Sequence, residues 1–129
     1  MRLIGNLYTV LSALPPADGL VYGFSIRLDA GHFIYKAHFP GHPVTPGVCL
    51  IQMVAELASE AEGVPLGIAG VKNVKFIDMV SPLQDSELRM LFTGRTWADD
   101  GTVKVQAQLE AAADPAKVFC KFSMTLKKK

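Results

Sequence analysis

The stretch His38-Phe39-Pro40-Gly41-His42-Pro43-Val44-Thr45-Pro46-Gly47-Val48, running without a break into Cys49-Leu50-Ile51, decides how this chain folds. A histidine stands in a loop stiffened by prolines and opened by glycines, and the loop feeds the start of a hydrophobic helix. Proline fixes φ and glycine admits backbone geometry closed to other residues, so such a loop holds an imidazole in one place relative to the helix end. Thr45 is expected to act as N-cap and Pro46 to open the first turn, leaving the N–H groups of Gly47 and Val48 without an acceptor inside the helix. Those donors and the positive end of the helix dipole suit a carbonyl oxygen that gains charge while a nearby histidine moves a proton.

Outward from this stretch, the long helical pattern runs from Pro46 to Glu62, ended by Gly63 and Pro65. Its apolar residues cover nearly the whole circumference, which predicts burial on most sides. Gln52, Glu56, Ser59 and Glu60 recur at three- and four-residue steps and share one narrow polar face. The remainder alternates with period two, as strands with one wet face do. Strands are predicted at Gly5–Ala13, Leu20–Leu28, Gly67–Asp78, Glu87–Trp97, Thr102–Ala112 and Lys117–Lys127, with Asp99-Asp100-Gly101 and Ala113-Asp114-Pro115 as hairpin turns. One apolar helix with about six strands implies an α+β fold in which a curved antiparallel sheet wraps the helix, and 129 residues suffice for a single domain over 1–129.

A net charge of +1 with dispersed basic residues gives no electrostatic footprint for nucleic acid or a membrane surface. The chain shows no apolar run long enough to span a bilayer and no signal-peptide pattern, so a cytoplasmic location is expected. Cys49 and Cys120 lie far apart in apolar surroundings and read as small core residues rather than a disulfide or a metal site. His32 and His42 read as turn or surface residues.

The loop and helix resemble, residue by residue over 38–51, the H-F-P-G-x-P, x-x-P-G-V and helix motif of the (3R)-hydroxyacyl-acyl-carrier-protein dehydratases, whose fold is the hot-dog. Val74-Lys75-Phe76 followed by Pro82 resembles that family's V-K-F-x(5)-P strand and bend, so the likeness extends from about Leu7 to Lys127, the first thirty residues matching only in length and pattern. The resemblance implies elimination of water from a 3-hydroxyacyl thioester to give the trans-2-enoyl product. It assigns His38 as base and the Gly47 N–H as donor to the thioester carbonyl. It also implies an acyl chain carried on the phosphopantetheine of acyl carrier protein, with no other cofactor, and a dimer whose second subunit completes the site. Phe33, Phe39, Pro46, Val48 and Met53, with Tyr35, are candidates to line the acyl channel, and Lys72 and Lys75 to meet the acidic carrier.

One position breaks the pattern. The family places a carboxylate one helical turn beyond the glycine, and this chain has Gln52 there, with Glu56 four residues on where the family often has glutamine. A carboxamide orients water but donates no carboxylic proton. Glu56 is therefore either a relocated acid or a solvated or salt-bridged carboxylate on the helix edge. Three functions follow: a dehydratase; a non-catalytic hot-dog subunit paired with an active homologue; or a hot-dog thioesterase.

Overall fold

The computed structural model describes residues 2–37 and 41–129. Strands β1 (Tyr8–Leu14) and β2 (Tyr22–Leu28) precede a short helix α1 (Phe33–Ala37) and the long helix α2 (Gly47–Glu62). Strands β3 (Leu66–Phe76), β4 (Glu87–Trp97), β5 (Thr102–Ala111) and β6 (Val118–Lys128) follow. The six strands form one antiparallel sheet in the order β1-β2-β4-β5-β6-β3, with β1 and β3 at the edges.

Alternation along the later strands sets which face meets the helix. Leu88, Met90 and Phe92 of β4, Val103, Val105 and Leu109 of β5 and Phe122, Met124 and Leu126 of β6 are buried, and the register pairs Met90 with Leu109 and Val105 with Met124. A one-residue slip would turn all of them to solvent, so the register follows from the pattern. Cys49, Leu50, Met53, Val54, Ala55, Leu57 and Ala58 of α2 join the same contiguous core. Gly63 ends the helix with φ 72°, a left-handed geometry that favours glycine, and returns its N–H to the Ser59 carbonyl. The expected fold class therefore stands: a curved, open hot-dog sheet on one dominant helix.

The differences are local. The short α1 was not expected from the sequence; five residues carry too little periodicity to show. β1 starts at Tyr8 rather than Gly5, because residues 3–8 form a tight turn in which Leu7 N–H donates to Leu3 C=O. β3 is exposed along most of its length, with Ile68, Val71 and Phe76 open on an edge that pairs on one side only.

Candidate active site

The helix start is built differently from the expectation. Pro46, not Thr45, is the N-cap, with extended backbone (φ −60°, ψ 142°), and no side chain among the described residues caps the helix. The Thr45 hydroxyl instead meets the Tyr35 hydroxyl at 3.0 Å, both side chains being buried, and the Thr45 N–H donates to Val80 C=O. Gly47 and Val48 occupy the first two helical positions, where the N–H groups have no intrahelical acceptor. Val48 is 72% exposed, so this end of the helix opens to solvent.

Gly47 also lies under an aromatic ring. A Cβ at this position would come within 2.7 Å of the Phe76 ring, so a glycine is what allows the end of β3 to close on the helix start. Phe76, Leu50, Ile77, Met79 and Val80 then line, with Gly47, an apolar cavity of about 480 Å³ beside the helix N-terminus. Phe76 belongs to the V-K-F motif, yet its contact with Gly47 required the fold.

Of the candidate residues, the structure brings Gly47 to a mouth and Gln52 and Glu56 to a second cavity, of about 750 Å³, along the outer side of α2 toward β3. His38 and Phe39 lie outside the described residues. Phe33 is exposed and stacks on His32 at 4.5 Å between ring centres, Pro46 is half-buried at the cap, and Met53 is fully enclosed in the core. His42 is exposed, as expected. His32 is buried rather than superficial, its Nδ1 accepting the Ile34 N–H. Burial pushes both cysteine thiols up, Cys120 to about 11, so Cys49 gains no thiolate character from its place in the first turn. Among the described residues, no group of three or more His, Cys, Asp or Glu side chains could hold a metal ion.

Glu56 is held by the fold on both carboxylate oxygens. Its Oε2 accepts the Leu3 N–H at 2.7 Å and the Gln52 Nε2 at 3.1 Å, and its Oε1 accepts the Ile4 N–H and the Tyr8 hydroxyl, each at 2.9 Å. The carboxylate is thus the anchor of the N-terminal turn and the partner of Gln52. Burial and then the Glu56 charge raise the Tyr8 phenol well above its ordinary value, so Tyr8 stays a donor. Sequence reasoning missed this arrangement because three of its four donors come from a segment some fifty positions away.

The family model described as "ApeI-like: ApeI dehydratase" matches residues 21–128. The chain is 29% identical over 121 residues to a 3-hydroxyacyl-[acyl-carrier-protein] dehydratase FabZ of Lactiplantibacillus plantarum, covering 84% of this chain and 80% of that one. It is 31% identical over 110 residues to the FabZ of Campylobacter fetus, covering 73% and 74%. Among solved structures, the dehydratase heterocomplex ApeI:P from Xenorhabdus doucetiae superposes with a TM-score of 0.67 at 18% identity, covering 93% of this chain and 97% of that one, which shows the shared fold. With the P-G-V helix start and the apolar cavity beside it, these matches place the chain in the ApeI-like family of hot-dog dehydratases.

Proposed function

We propose that this protein removes water from a 3-hydroxyacyl thioester carried on the phosphopantetheine of an acyl carrier protein, giving the trans-2-enoyl thioester. The observation that carries the reading is the start of α2, where Gly47 and the Phe76 ring packed on it line an apolar cavity. The thioester carbonyl sits on the Gly47 N–H, and His38 takes the proton from Cα. The electrons of that C–H bond form the double bond as the C–O bond breaks, and the hydroxyl leaves as water once it gains a proton. Gln52, contributed by the second subunit of a dimer, orients the hydroxyl without supplying that proton, so the imidazolium formed at His38 returns it. The acyl chain lies along the cavity, against Leu50, Phe76, Ile77 and Met79.

The reaction needs no cofactor besides the carrier's arm. Lys72 and Lys75 are exposed on β3, as a landing site for an acidic carrier requires, and carrier binding is expected to weaken as salt rises. The open edge of β3, with Ile68 and Val71 exposed, supports assembly as a homodimer or with a related hot-dog subunit, read by the mass in solution.

A second reading has its own support: a non-catalytic subunit that keeps the fold and pairs with an active homologue. Glu56 is committed to four donors and Gln52 carries no acid, so neither stands ready as a proton source. Purified protein, Gln52→Glu and Glu56→Gln are incubated with a 3-hydroxyacyl carrier protein, and enoyl and free-acid products are separated. Enoyl formation by the wild type supports the dehydratase. Silence in the wild type with activity in Gln52→Glu supports the paired subunit, and release of free acid identifies a thioesterase. Silence in all three, with no binding of the acyl-carrier substrate, overturns the acyl-site reading.

A further inference from the structure

Gln52 and Glu56 lie one turn apart on α2, both half-buried, and line the same cavity along the outer side of the helix. Glu56 meets donors on both oxygens: the Leu3 N–H at 2.7 Å and the Gln52 Nε2 at 3.1 Å on Oε2, the Ile4 N–H and the Tyr8 hydroxyl, each at 2.9 Å, on Oε1. A backbone N–H can only donate, so the N-terminal turn fixes this carboxylate as an acceptor from a direction outside the helix. A carboxamide that faces it has one stable orientation. Its oxygen turned toward Oε2 would set two acceptors against each other, whereas its NH2 adds a donor. With the NH2 committed to Glu56, the carbonyl oxygen on the other arm of the same amide is the atom that Gln52 turns away from Glu56. A carbonyl oxygen has two lone pairs, so it serves a substrate hydroxyl alongside any neighbouring donor.

We propose that Glu56 is a positioning residue for Gln52: it fixes the carboxamide with the carbonyl oxygen outward, so that Gln52 accepts a hydrogen bond from the 3-hydroxyl and discriminates against a 3-oxo chain, which has no proton to give. The inference rests on the reading of Gln52 as the group that orients the hydroxyl. A carboxamide left to turn serves donors and acceptors alike, and then holds a 3-hydroxy and a 3-oxo chain equally. A carboxamide fixed as an acceptor rejects the chain that lacks the donor. The bonds that anchor the N-terminal turn thus also give a neutral side chain a fixed polarity.

The test measures the affinity of wild type and variants for 3-hydroxyoctanoyl- and 3-oxooctanoyl-pantetheine amides, in which an amide replaces the thioester so that the chain is bound and not eliminated. Melting temperatures are recorded alongside. Binding reads the proposal whether or not the protein turns over a thioester. Wild type is expected to prefer the hydroxy compound about tenfold, the order of one hydrogen bond. In Glu56→Gln the introduced NH2 faces Gln52, whose oxygen turns to meet it, and the preference is expected to fall to within about twofold. Tyr8→Phe removes a donor from the opposite carboxylate oxygen. It is expected to lower the melting temperature and keep the preference, which separates positioning from a merely structural role. Gln52→Met, with no amide to present, is expected to lose the preference and stay folded. A preference lost in Gln52→Met and unchanged in Glu56→Gln overturns the positioning role while leaving Gln52 as the orienting group. A preference unchanged in both, or a wild type that binds neither compound or both alike, overturns the reading of Gln52 and the proposal with it. Where Glu56→Gln does not fold, the side-chain NH2 resonances of Gln52 in the wild type, assigned by their loss in Gln52→Met, decide. Two widely split signals that exchange slowly with solvent support the hold by Glu56; a pair that exchanges like that of an exposed glutamine overturns it.

Discussion

The two ends of α2 are built on opposite principles. At its start no side chain among the described residues caps the helix, the first residue is glycine, the second is exposed, and the neighbour is an apolar cavity. Toward its end the polar side chains are bound to the rest of the molecule. Glu56 holds the N-terminal turn, and Ser59 accepts the Leu66 N–H at 3.0 Å. Glu62 accepts from the Tyr22 hydroxyl at 2.9 Å, Arg95 at 3.2 Å and the Trp97 indole at 3.3 Å. The difference teaches that acidic residues on this helix serve as anchors, whereas the backbone donors at its start are uncommitted within the helix.

The largest effect that would break this contrast lies at the open end. His38→Ala is expected to lower enoyl formation by about 10²–10⁴-fold, the range for loss of a general base, with the melting temperature hardly changed. A folded variant that retains turnover within a few-fold would remove the open end from the chemistry. Gly47→Ala is expected to cost about 10- to 100-fold in kcat/KM, because its new methyl meets the Phe76 ring and shifts the helix start. Adding Phe76→Ala is expected to recover part of that loss by vacating the space. A double variant no better than Gly47→Ala would show that the ring contact does not set the site.

At the anchored end the expected effects are on stability. Glu56→Gln replaces an acceptor of four hydrogen bonds by a group whose NH2 faces donors, and is expected to cost about 1.5 kcal/mol in denaturant unfolding. An unchanged midpoint would show the N-terminal turn to be held by other contacts. The smallest effect is alkaline. Burial, reinforced by Glu56 at Tyr8 and by Glu62 at Tyr22, holds both phenols above their ordinary value of 10.0, and burial holds Cys120 at about 11 against 9.0. The folded protein keeps these protons where the unfolded chain releases them, so stability is full below about pH 9 and falls as pH rises through 9 and 10 and beyond. Denaturation midpoints measured from pH 8 to 11 read this slope; a flat profile would show these groups to be solvated in the folded state.

How much of this was legible depends on the range of the interaction. The helix from Gly47 to Glu62 and the strand at Glu87–Trp97 were read to within a residue, because period and punctuation are local properties of the chain. The position of the helix start was readable because its Pro-Gly-Val signature and its apolar sequel lie within a few residues. Thr45 was misassigned as N-cap because its competing partner, Tyr35, belongs to a five-residue helix too short to leave a periodic signal.

Composition and pattern by themselves determined an apolar helix, six alternating strands and a glycine at the helix start, since each rests on residue types and their spacing. The tertiary structure alone decided that Phe76 closes over Gly47, that Thr45 bonds Tyr35 instead of the helix, and that Glu56 is an anchor. A carboxylate at the same helical position is an acid or a structural acceptor according to which donors the fold brings to it, and here Leu3, Ile4 and Tyr8 arrive from some fifty positions earlier in the chain.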